Sequence, residues 1–186
     1  MATTAYIENV QSGQQTAAHP YRDAASFVVC AGLPLGLFGL VNLGAEALDI
    51  LPLFFAPFGI PGWVGAVAHL AQLSFLGLAF WAVSRNTSAR SPRIWIAALA
   101  GLYILLPFVT APLDSLQLSL VCSALFLVTL AGMIRVGAAS PLAAWLMTPT
   151  MFILGFSATM GLAIAAAYSP PFALIQGQQP APVPAA

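Results

Sequence analysis

From Trp63 to Ser84 the sequence WVGAVAHLAQLSFLGLAFWAVS carries no charged residue, and it stops at Arg85. A helix needs about 20 apolar residues to cross about 30 Å of hydrocarbon, and this run is long enough. No water is available there to satisfy an open backbone, so the run must be a helix or part of a closed barrel. A barrel strand alternates apolar and polar residues over about 10 positions. This stretch is continuously apolar, and that means a helix. Four further runs read the same way: Ser26–Gly44, Ile94–Ala111, Leu116–Ile134 and Leu142–Tyr168. The expected architecture is all-α, a five-helix transmembrane bundle over residues 26–168. A polar N-terminal tail, residues 1–25, precedes it, and a Pro-rich tail, residues 169–186, follows and reads as disordered.

Composition agrees. The chain has 186 residues, 60% hydrophobic and 5% charged, with a mean hydropathy of +0.93. A soluble domain carries about 25% charged residues because it needs a wet surface. The N-terminal stretch lacks the basic and short apolar regions of a cleavable signal, so the first helix is expected to act as an uncleaved signal-anchor. Net charge is zero, which offers no attraction for nucleic acid. All five basic residues are arginine: Arg22, Arg85, Arg90, Arg93 and Arg135. Short loops keep positive residues on the cytoplasmic side. That rule places the N-terminus inside and the C-terminus outside, with Glu46, Asp49 and Asp114 on the outer face. A bacterial inner membrane is the expected location. Cys30 and Cys122 both lie in apolar runs, where small thiols are ordinary packing residues.

The loop from Ala45 to Gly62 contains Pro52, Pro57, Gly59, Pro61 and Gly62, which make it stiff and turn-rich. Loops this long in compact bundles serve as binding lids or are disordered. Phe54, Phe55 and Phe58 favour a packed lid. In helix 1, Gly32 and Gly36 are four apart with Gly39 beyond, a spacing that lets helix backbones approach closely. It reads either as packing within the bundle or as a homodimer seam. Pro107 and Pro149 kink helices 3 and 5. Ser157, Gly161 and Ala165 give helix 5 a smooth face for close packing or a cavity wall.

Chemistry-bearing groups are few. Ionisable residues inside the membrane are the usual markers of function, and here His69 stands alone, with Gln72 one turn further on the same face. It reads as a ligand to haem or metal, a proton shuttle or a hydrogen-bond partner for a bound molecule. Equally, it reads as a neutral histidine bonded to a helix carbonyl or to Gln72. The sequence has no paired carboxylates, nucleophile elbow, phosphate loop or metal spacing, so neither a catalytic residue nor a metal site is expected. Trp63, Trp95 and Trp145 fall near helix ends, where amphipathic rings sit in the headgroup belt. Trp63 alone also reads as facing inward beneath the lid.

Three stretches resemble the TspO/MBR family, the tryptophan-rich sensory or translocator proteins. Pro57-Phe58-Gly59-Ile60-Pro61-Gly62-Trp63-Val64 is similar to the family's P-F-x-P-P-G-W-V, and Gly77, Ala79, Trp81, Val83 and Arg85 follow in its spacing. Leu102-Tyr103 resembles its helix 3 L-Y. Leu142-Ala143-Ala144-Trp145-Leu146, with Pro149 and Phe156 beyond, resembles its helix 5 L-A-A-W-L-x-x-P. The five-helix plan with a long first loop is shared. His69 stands where the family has a second tryptophan, Thr110 where it has an asparagine, and Gly161 where it has another asparagine. The resemblance implies a non-enzymatic binder or carrier of a hydrophobic small molecule, a tetrapyrrole such as a porphyrin or a polycyclic lipid. The ligand would sit in an outer-half cavity bounded by Trp63, His69, Gln72, Thr110, Met160 and Gly161. No cofactor is assigned beyond such a ligand. In that pocket His69 is expected to bond a ligand carboxylate more strongly on protonation, near the usual histidine pKa of about 6.5. The alternative is an accessory subunit of a larger membrane assembly, its former pocket now facing protein. Either way the expected partners are membrane lipid and a second copy or a larger complex.

Overall fold

The computed structural model describes residues 20–56, 59–85 and 90–168. Five helices account for most of them: α1 Pro20–Glu46, α2 Gly62–Ser84, α3 Arg90–Val109, α4 Ser115–Ala139 and α5 Pro141–Tyr168. Among the described residues there is no strand. Each helix is long and apolar enough to span a membrane, so the chain is an integral membrane protein built as an all-α five-helix bundle. The expected polar N-terminal tail up to residue 19, the residues Pro57 and Phe58, and the expected disordered tail from residue 169 lie outside the described residues.

The helices reach further at the arginine end than hydropathy suggests. α1 begins at Pro20 rather than Ser26, and α3 at Arg90 rather than Ile94. The expected loop around Arg135 is absent. α4 runs through it to Ala139, and Ser140 alone joins α4 to α5. So short a link works because Ser140 closes both helices. Its N–H donates to the Val136 carbonyl at 2.8 Å, its hydroxyl accepts from the Ala143 N–H at 3.3 Å, and Pro141 suits the first helical position. Arg135 stays on α4 and lays its guanidinium 5.2 Å from the centre of the Trp95 ring on α3, a long stem along an apolar surface.

α2 is the hub, packing on α1, α3 and α5, while α4 and α5 form the most extensive pair. The α1–α2 crossing is made by the backbone. Pro34 has no N–H to offer the carbonyl of Cys30, four residues earlier. That carbonyl lies against Gly77 of α2, so closely that a Cβ built on Gly77 would overlap it and also meet the Pro34 ring at 3.1 Å. A proline on one helix and a glycine on the other thus make one close contact. The same ends are tied at the arginine side. The Trp81 indole N–H donates to the Ser26 hydroxyl at 3.1 Å, Phe27 meets the Trp81 ring edge-on, and Arg85 lies 3.8 Å from Asp23. The ion pair is exposed and contributes little, about 0–1 kcal/mol.

Gly32, Gly36 and Gly39 take no part in this crossing. They are exposed, with nothing within 4 Å of a built Cβ, so packing within the bundle is not their role. α1 turns the Cys30, Pro34 and Phe38 stripe to α2, about 100° per residue away from the glycine face.

At the other end the chain leaves α1 through a left-handed cap. Asp49 has φ 57°, the Ile50 N–H reaches the Ala45 carbonyl at 2.9 Å and the Asp49 N–H the Glu46 carbonyl at 3.1 Å. This is the paired bonding that closes helix C-termini, with a short polar residue in place of glycine. α4 opens on a capping box. Asp114 accepts from the Gln117 N–H at 2.8 Å, and Gln117 Oε1 accepts from the Asp114 N–H at 3.3 Å.

Replacing Gly77 with valine should force α1 and α2 apart and destabilise the protein by about 1–3 kcal/mol, the usual cost of overpacking. Gly101→Ala, on a face where nothing lies within 4 Å, should leave the melting temperature in detergent unchanged or slightly raised. Equal melting of the two variants would refute the crossing.

Candidate functional site

Beyond Asp49 the chain folds back over the bundle as a packed lid, held by three contacts. The Leu53 N–H donates to the Pro107 carbonyl at 2.9 Å, satisfying a backbone acceptor in the last turn of α3. Gly65, in the first turn of α2, lets the lid backbone lie directly on the helix; a built Cβ there would stand 2.5 Å from the Phe55 carbonyl oxygen. The Phe55 ring meets Phe156 of α5 edge-on at 6.0 Å.

Beneath the lid is a cavity of about 580 Å³, walled by residues such as Ala68 of α2, Leu106 of α3, Leu118 of α4 and Ile153 of α5. That volume falls within the range of small-molecule sites, about 300–1,000 Å³. The walls are mostly apolar, and no Asp, Glu, Lys or Arg is among the described residues that line it.

His69 is 7% exposed and sits among three rings. It stacks on Tyr103 at 4.5 Å with 13° between the planes, and Phe38 and Phe54 lie 5.5 and 5.6 Å away. Its Nε2 is buried and has no hydrogen-bond partner among the described residues. Gln72 is not that partner, as the sequence suggested it could be. Its Nε2 donates to the Ala68 carbonyl at 3.0 Å, and its Oε1 accepts from the Tyr103 hydroxyl. Tyr103 takes the amide acceptor and stacks on His69 at once, which leaves the imidazole Nε2 without a hydrogen-bond partner beside the cavity.

Of the six residues expected to bound the site, five line the cavity: His69, Gln72, Thr110, Met160 and Gly161. The Thr110 hydroxyl donates to its own helix at the Leu106 carbonyl, 2.8 Å away. Gly161 serves contact as well as space, since a Cβ there would stand 2.7 Å from the Ser119 Cβ of α4. Trp63 does not join them. It is 68% exposed and outside the lining. The buried stripe of α2 runs Gly65, His69, Gln72, Leu76, and six residues of helix turn Trp63 well off it. Its ring has the exposure of a headgroup-belt aromatic, as does Trp145.

Sequence reasoning missed Gly65, Phe38 and the role of Tyr103. Gly65 lies four residues before His69, so helical spacing alone puts it on the inward face. Phe38 gave no signal, because α1 is apolar on every side. Among the described residues no group of three His, Cys, Asp or Glu side chains converges, so His69 is a single donor.

Comparison with family models, with curated proteins and with solved structures finds no match to this chain.

If Gly65 seats the lid, Gly65→Ala should lift it. Cys122 is buried and lines the cavity, so in a Cys30→Ser background its modification by a water-soluble maleimide should accelerate several-fold. An unchanged rate would show that the lid does not depend on this contact.

Proposed function

We propose that this protein binds or carries a hydrophobic small molecule within the membrane and catalyses no reaction. The observation that supports this reading is the cavity of about 580 Å³, apolar, uncharged and covered by a lid held in place by backbone contacts. Sites of this kind bury most of a ligand's surface and orient it with a few polar groups. The resemblance to TspO/MBR proteins points the same way, toward a tetrapyrrole or a polycyclic lipid. Protein purified in mild detergent should then yield a small molecule on organic extraction and mass spectrometry. Ala68→Trp, which fills the cavity from its α2 wall, should lower that yield by about tenfold or more. Equal yields from both proteins would sink the reading.

A second reading has its own support in the exposed Gly32, Gly36 and Gly39 face of α1, which suits close approach by another helix. On this reading the chain is a homodimer or a subunit of a larger membrane complex. Gly36→Leu should then reduce the particle mass measured by light scattering after gel filtration. An unchanged mass would remove this seam.

The arginines at one end support a cytoplasmic N-terminus and an outer lid, in a bacterial inner membrane. A reporter active only in the cytoplasm, fused after Ala186, should stay silent. Activity there would reverse the orientation.

A further inference from the structure

The polarity of the cavity narrows its ligand more than its size does. His69 lines the cavity, and its Nε2 is an unpaired polar atom on a side chain more than nine-tenths buried. Three other polar side chains of the lining, Gln72, Thr110 and Ser157, are already engaged. Gln72 is bonded at both ends of its amide, and Thr110 and Ser157 donate to their own helix at the Leu106 and Ile153 carbonyls, both at 2.8 Å. An unpaired buried group is costly, and one matching atom on a ligand removes that cost. Neutral imidazole offers Nε2 as donor or acceptor according to tautomer, so a hydroxyl and a ring carbonyl both match.

A carboxylate does not match. No cation lines the cavity among the described residues. The closest acidic residue in the chain to the lining works against one. Asp114 directly precedes the lining residue Ser115, and its carboxylate already occupies the N-terminus of α4 through the Gln117 N–H. The helix end that would otherwise attract an anion therefore carries negative charge. The rim is apolar too. Leu53, Ile60, Phe156 and Ile164 line the cavity and are exposed.

We propose that the ligand is an uncharged, membrane-dissolved ring compound with one hydroxyl or ring-carbonyl oxygen hydrogen-bonded to His69 Nε2, and not a carboxylated tetrapyrrole. This rests on the ligand-binding reading above and replaces the expectation that His69 would meet a ligand carboxylate. The ring would lie in the apolar body of the cavity, with its oxygen at the His69–Tyr103 stack.

The full chain in detergent is titrated with four probes: dehydroergosterol, a fluorescent sterol alcohol; decylubiquinone, a ring carbonyl; cholestane, the sterol skeleton without oxygen; and protoporphyrin IX, a dicarboxylate. Dehydroergosterol or decylubiquinone should saturate at one per chain, and which of them does so distinguishes an alcohol from a quinone ligand. Cholestane should bind about tenfold more weakly, the effect of one hydrogen bond, and protoporphyrin IX, with its carboxylates unmatched, should also bind more weakly than the oxygenated probe. His69→Phe keeps an aromatic ring on Tyr103 and should bring the oxygenated probe down to the cholestane level, while His69→Gln restores much of the loss. Equal binding of cholestane, tighter binding of protoporphyrin IX, or indifference to His69→Phe would overturn the inference and leave the ligand-binding reading standing. Binding of no probe at all would overturn both. If His69→Phe fails to fold, the comparison of dehydroergosterol with cholestane on the native chain decides.

Discussion

Backbone hydrogen bonding without water is the constraint on which this bundle depends. In hydrocarbon each peptide group must find its partner inside the protein, so every spanning segment is a helix and every irregularity needs a local remedy. Pro34 shows how such an irregularity becomes a contact. By withholding an N–H it frees the Cys30 carbonyl, which α2 receives at Gly77. At the lid end the same requirement is met by Asp49 turning left-handed over the end of α1, and by Leu53 donating to the Pro107 carbonyl. The lid is therefore held by the accounting that shapes the helices.

Close approach by small residues does the rest. Gly77 seats α1, Gly65 seats the lid, and Gly161 seats α5 against Ser119. Lipid tails are as apolar as leucine and give helices no hydrophobic reason to associate, so van der Waals contact at these points carries the packing. The large exposed side chains, among them Leu33, Leu40, Leu127 and Phe152, need no partner in such a solvent. Core and surface are consequently alike in composition, and only α2, packed on three neighbours, is buried along much of its length.

The cavity follows from that asymmetry. α2 sends His69 into a space ringed by Tyr103, Phe38 and Phe54, and Tyr103 takes the one side-chain acceptor on α2 that His69 would otherwise share. The Thr110 and Ser157 hydroxyls satisfy themselves on the carbonyls of their own helices, a habit of these residues in helices. His69 Nε2 remains as an unpaired buried polar atom at a mostly apolar chamber, and this makes the proposed site selective for the ligand's polarity as well as its bulk.

The sequence by itself determined the number of spans, their approximate bounds, the segregation of arginine to one end and the presence of a stiff lid. These depend only on hydropathy, charge and turn chemistry along the chain, each a local property. It also singled out His69, because an ionisable group in a run of hydrocarbon-facing residues is conspicuous wherever it points. Tertiary structure alone decided where side chains aim. A helix that is apolar all round has no preferred face in its sequence, so nothing in α1 announced that Phe38 turns inward while Gly32 and Gly36 turn out. The same ambiguity left Trp63 open between lid and headgroup belt until α2 was seen to present Gly65 and His69 to the interior. Whether Gln72 bonded His69 or Tyr103 depended on how close α3 comes to α2. That distance is set by packing between residues far apart in the chain, and no local pattern encodes it.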